Sequence, residues 1–60
     1  MNITIANSKI YMSVPFEHRE LVKDGFERPR WDKRHKVWVV TNTVNNREIA
    51  DNIYKKIVSN

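Results

Sequence analysis

Two tryptophans seven positions apart, in Trp31-Asp32-Lys33-Arg34-His35-Lys36-Val37-Trp38, constrain this fold more than any other feature. Residues 37–41, VWVVT, are almost all strand formers. Arg30 and Trp31 enter the strand before them, and residues 33–36 make the turn. Side chains alternate along a strand, so the parity of the loop decides where each ring points. An even loop centred on Arg34-His35 pairs position 31 with 38 and sets both rings on one face. An odd loop puts them on opposite faces, one buried and one free. Register therefore decides what the motif can do.

The chain before this hairpin also alternates. Ile3 and Ile5 project to one side, and Ile10, Met12 and Val14 do likewise after Asn7-Ser8, as two strands joined by a short turn require. Asn-Ser is a weaker hairpin signal than Asn-Gly. Pro15 stops the ladder and suits the first turn of a helix. Glu17 and Glu20 favour that helix's N-terminal end, and Phe16, Leu21 and Val22 supply an apolar face. With Gly25 as its C-terminal cap, the predicted helix runs over 16–24.

At the other end, Asn45 followed by Glu48 predicts a box-like N-cap, and Val44 with Ile49 a hydrophobic staple. Ile49, Ile53 and Ile57 recur every four residues beside Ala50, Tyr54 and Val58, so an amphipathic helix is expected over 46–58. Arg47, Asp51, Lys55 and Lys56 point outward in that reading. The order (β)β-α-β-β-α predicts a two-layer α+β domain, a small antiparallel sheet with two helices on one face.

Sixty residues allow a single domain with a core near the lower limit for independent folding. With no Cys there is no disulfide and no thiolate metal site, and two isolated His residues do not complete a zinc site. No cofactor is expected, and stability must come from packing, supported by a partner or by self-association. No stretch approaches the roughly 20 apolar residues of a membrane span. The N-terminus lacks the cationic and continuous apolar regions of a signal peptide. The expectation is a protein complete from Met1 in the cytoplasm of a bacterial host cell, away from membranes.

Charge placement says more than total charge. The net charge is +4, and residues 28–36 hold five cations against the single acid Asp32. The other 51 residues carry six cations and six acids, which cancel. A segment of one sign is a candidate anion-facing surface.

Val14-Pro15-Phe16-Glu17, followed by Arg30-Trp31-Asp32, Lys36, Trp38 and Val40, resembles a short domain of unknown function with the pattern V-P-[FY]-E…G-A-R-W-D-P-x-x-K-x-W-Y-V. That domain occurs in primase-like, mobilisation and antirestriction-type proteins of plasmids and phages. The likeness covers about residues 10–40 and keeps the Trp-to-Trp spacing. Lys33 stands where the family has Pro, Thr41 where it often has Pro, and the join from Gly25 to Trp31 is longer. A looser likeness is to the HARP-type substrate-recognition domains of annealing helicases, which contact branched or single-stranded DNA.

Two functional expectations follow. In the first, Arg28, Arg30, Lys33, Arg34 and Lys36 meet the phosphates of a nucleic acid, single-stranded or branched DNA or RNA. Trp31 and Trp38 form an aromatic ridge, and one of them or Tyr11 stacks on a base. Taken alone, two tryptophans in so small a domain fit core anchors better than stacking platforms. In the second, the chain is a small mobile-element inhibitor of anti-restriction or anti-CRISPR type. The cationic hairpin then docks on a nucleic-acid-processing protein, with Tyr54 or Tyr11 as anchor. Asp32 reads as a turn acceptor paired with a neighbouring cation, and His18 and His35 as surface residues. With no Gly-rich phosphate loop, metal cluster or nucleophile elbow, catalysis is not expected.

Overall fold

A computed structural model describes residues 1–59 of the chain. Strands β1 (Asn2–Ala6), β2 (Lys9–Ser13), β3 (Arg30–Asp32) and β4 (Val37–Thr41) form one antiparallel sheet in the order β1-β2-β4-β3. Helices α1 (Arg19–Gly25) and α2 (Val44–Val58) lie against one face of it. The α+β class and the element order are those predicted.

Register sorts the side chains. Ile3, Met12, Trp38 and Trp31 make one row across the sheet, and Ile5, Ile10 and Val40 the next. Ile10, Met12, Trp38 and Val40 are buried there against Val22, Phe26, Ala50 and Ile53. The opposite face carries Thr4, Tyr11, Val39 and Arg30 in one row, and none of these is buried. The core therefore lies wholly between the sheet and the helices.

The β1–β2 turn has positive φ at both Asn7 (52°) and Ser8 (61°), the mark of a type I′ hairpin. Asn tolerates that region and Ser less so, yet the twist of the strands favours it. Asn42 N donates to Ser8 O at 3.0 Å and ties this turn to the end of β4.

Several local expectations are corrected. The segment after Pro15 is not one helix over 16–24: a 3₁₀ turn at Phe16–His18 precedes α1. His18 N donates to Pro15 O at 2.8 Å and closes that tighter turn. Gly25 is not a left-handed cap. It stays in the helix, and the chain leaves through Phe26 in an extended conformation, which sends the Phe26 ring into the core. Gly25 instead lies where the two helices approach closely, because a Cβ there would lie 3.1 Å from Ile53 Cδ1 and 3.2 Å from Ile49 Cγ2.

The cap of α2 is Thr43 rather than Asn45. Its hydroxyl accepts from Asn46 N at 3.0 Å, while Asn46 Nδ2 donates back to Thr41 O at 2.9 Å. Val44 is consequently the first helical residue, exposed and unable to staple. The buried stripe of α2 is narrower than the sequence implies. Ala50 and Ile53 are buried, Ile49 and Ile57 half-buried, and Tyr54 and Val58 face outward.

Candidate nucleic-acid interface

The hairpin β3–β4 has the even loop. Trp31 pairs with Trp38, their ring centroids 5.1 Å apart and their planes inclined by 58°. Both rings lie on the helix-bearing face, but β3 is the sheet edge and β4 is interior. Trp38 is accordingly 8% exposed, while Trp31 beside it is 45% exposed. One ring builds the core, and the other packs on it at a tilt and stays nearly half exposed.

The loop owes its shape to Asp32. Its Oδ1 accepts from Arg34 N (2.9 Å) and His35 N (3.2 Å), and its Oδ2 meets His35 Nδ1 at 3.0 Å. The acid thus pairs with the His35 ring and not with one of the loop's lysines or arginines. The His35 ring and then the His35 backbone N–H hold the Asp32 carboxyl below its ordinary pKa. A little desolvation opposes them, and the Arg34 N–H and the charge of His35 add smaller downward pulls. Lys36 closes the loop with φ at 55°, in the left-handed region.

None of Arg28, Arg30, Lys33, Arg34 and Lys36 forms an ion pair among the described residues, and all are exposed. Their charge is therefore free for an outside partner. They do not share one surface. Arg30, Lys33 and Arg34 line a shallow concavity with Lys9, Tyr11 and the edge of Trp31 on the helix-free face. Arg28 lies in a neighbouring depression that also includes Lys9 and Arg30. Lys36 is on the other side, in a groove of about 560 Å³ with Val14, Phe16, Trp31 and Trp38, rimmed by Arg19 and Lys23.

This groove holds residues that sequence reasoning missed. Phe16, assigned above to the apolar face of a helix, is 78% exposed. The Arg19 guanidinium carbon sits 3.9 Å from its ring centroid, and Arg19 Nη1 donates to Phe16 O at 3.0 Å. The spacing Phe16…Arg19 was the available signal, since a 3₁₀ turn places residues three apart one above the other. Trp38 and Val14 form the floor, Trp31 and Phe16 are the exposed aromatics, and Lys23 and Lys36 are cations without an ion pair, whereas Arg19 lies on the Phe16 ring and 3.8 Å from Glu20 Oε1. Such a site can take a flat apolar ring flanked by anionic groups.

No protein-family model matches this chain, and no curated protein or solved structure matches it. What the chain does is then a question of its own surface chemistry. Among the described residues no three His, Asp or Glu side chains cluster as metal ligands. No described helix is long and apolar enough to cross a membrane.

Proposed function

We propose that this chain is a non-enzymatic module that binds a single nucleic-acid strand, DNA or RNA, free or at a branch, without strong sequence preference. One observation carries the reading: the half-open Trp31 faces a groove with Phe16 and three cations, at the edge of the hairpin that holds all the net charge. A strand following that edge places one or two bases against Trp31 and Phe16. Its phosphates then run past Lys36, Lys33 and Arg34 toward Arg30 and Arg28. Stacking contributes about 1–3 kcal/mol per base whatever the base, and phosphate neutralisation adds counterion release.

The resemblance of Val14–Glu17 and Arg30–Val40 to a domain of plasmid and phage proteins supports an origin in a mobile element and an intracellular setting.

The test is a titration of short single- and double-stranded oligonucleotides at two salt concentrations. Single strands should bind more tightly, because only unpaired bases enter the groove. About five phosphate contacts imply a slope of log K on log salt of roughly −3 to −4. Reversing Arg34 and Lys36 to Glu should abolish binding and leave thermal unfolding nearly unchanged; survival of affinity would refute the assignment. The same unpaired cations and the exposed Tyr54 also suit an acidic surface on a nucleic-acid-processing enzyme. That inhibitor reading gains if no oligonucleotide binds even at low salt while a tight protein complex is recovered.

A further inference from the structure

The two edges of the sheet are built differently. Edge strand β3 is three residues long, carries Arg30 and Asp32, and follows Pro29, features that blunt pairing with another strand. Edge strand β1, Asn2-Ile3-Thr4-Ile5-Ala6, has five residues with no charge and no proline. Its apolar side chains are poorly covered, with Ile3 38% and Ile5 53% exposed.

We propose that β1 pairs antiparallel with β1 of a second copy, giving a two-fold dimer with one eight-stranded sheet. The geometry is self-complementary. In a two-residue hairpin the flanking residues, Ala6 and Lys9, exchange both their hydrogen bonds, so alternation turns the N–H and C=O of Ile3 and Ile5 outward. Pairing centred on Thr4 then sets Ile3 opposite Ile5 of the other copy, twice, with four new hydrogen bonds. The isoleucines of both copies fall on the helix-bearing face, and the two Thr4 side chains meet directly on the other, a favourable pair. A slip by one residue would set isoleucine opposite threonine, turn the two copies' helices to opposite faces of the sheet and lose this match.

Charge agrees with this occupant. The groove over Ile3, Ile5 and Ile10 is flanked on α2 by Arg47 and Asp51, one helical turn apart. A two-fold axis runs the copies' α2 helices antiparallel, which brings Arg47 of each toward Asp51 of the other. Asp51 already pairs with Lys55 at 3.0 Å, an exposed i,i+4 contact too weak to hold it back. The dimer leaves both β3 edges at the far ends of the sheet, seven strand spacings or roughly 34 Å apart.

Sedimentation equilibrium over a concentration series tests the pairing. The wild type should pass from the mass of one chain to that of two. Ile5→Lys, which places a lysine in the seam, should raise the midpoint at least about tenfold, with the far-UV circular dichroism of each single chain unchanged. The chain has no Cys, so Thr4→Cys supplies a lone thiol that should cross-link rapidly on oxidation, whereas Lys56→Cys should not. A wild type that stays at one chain mass at the highest concentration overturns the proposal. So does a dimer that Ile5→Lys leaves intact, or equal cross-linking at positions 4 and 56.

Discussion

Trp31 and Trp38 touch across one hairpin at 5.1 Å between ring centroids, yet they serve different ends because only one lies on an interior strand. Trp38 contacts the helices and carries stability. Trp31 packs against Trp38 and keeps nearly half of its own surface exposed.

The first prediction separates the two rings. Trp38→Ala should cost about 3–5 kcal/mol and unfold a domain this small at ordinary temperature. Trp31→Ala should cost less, about 1–3 kcal/mol, from the lost aromatic contact and the loss of a half-buried ring. Thermal unfolding followed by circular dichroism ranks them.

The hairpin itself was legible, as a cationic turn between strand formers, but its parity was not. Both an even and an odd loop fit the residues, and the structure selects the even one that pairs positions 31 and 38. The exposure of Trp31 was not legible, since it depends on β4 lying inside the sheet beside β2, a long-range fact. Phe16 misled for a similar reason. Its neighbours read as a helix, but the segment after Pro15 opens as a 3₁₀ turn and the ring is left exposed. Thr43 took the cap because Asn46 could also reach back to Thr41, an advantage visible only once β4 and α2 are placed. The cationic run was legible as a unit, but its division between two faces was not. That division follows from alternation within β3 together with the turn at Lys36.

A second prediction concerns Ser8, which holds φ at 61° in the β1–β2 turn. Ser8→Gly should stabilise the chain by about 1 kcal/mol, because Gly adopts that region without its Cβ penalty. The turn's bond from Asn42 uses only the Ser8 carbonyl and survives the change. Chemical denaturation should show a higher midpoint with an unchanged slope.

Asp32 gives the third. Its carboxyl has a lower pKa folded than unfolded, so the ionised form stabilises the fold. That contribution is fully present above the unfolded value of about 3.9 and is lost as pH falls through the lower folded value. Asp32→Asn should lower the melting temperature at neutral pH and flatten its decline below about pH 4. Melting curves across that range, compared with the wild type, check the sign.

Gly25 supplies a fourth. Gly25→Ala adds a Cβ that Ile53 Cδ1 and Ile49 Cγ2 must yield to by tenths of an ångström, against a helix-propensity gain of about 1 kcal/mol, and should change stability little. Gly25→Leu should push α1 from α2 and cost about 1–3 kcal/mol. The contrast between the two in denaturant titration identifies close helix approach, not a left-handed cap, as the reason for this glycine.

Stacking of a nucleic-acid strand on Trp31 in the cationic groove can be read from a ¹H–¹⁵N spectrum of the two indole N–H groups during titration with a short single-stranded oligonucleotide at low salt. A large, saturable shift of the Trp31 indole resonance together with the Lys36 amide is expected, with little change at Trp38. Saturable binding with both indoles unmoved, or with shifts confined to Tyr11 and Val39 on the helix-free face, would contradict it.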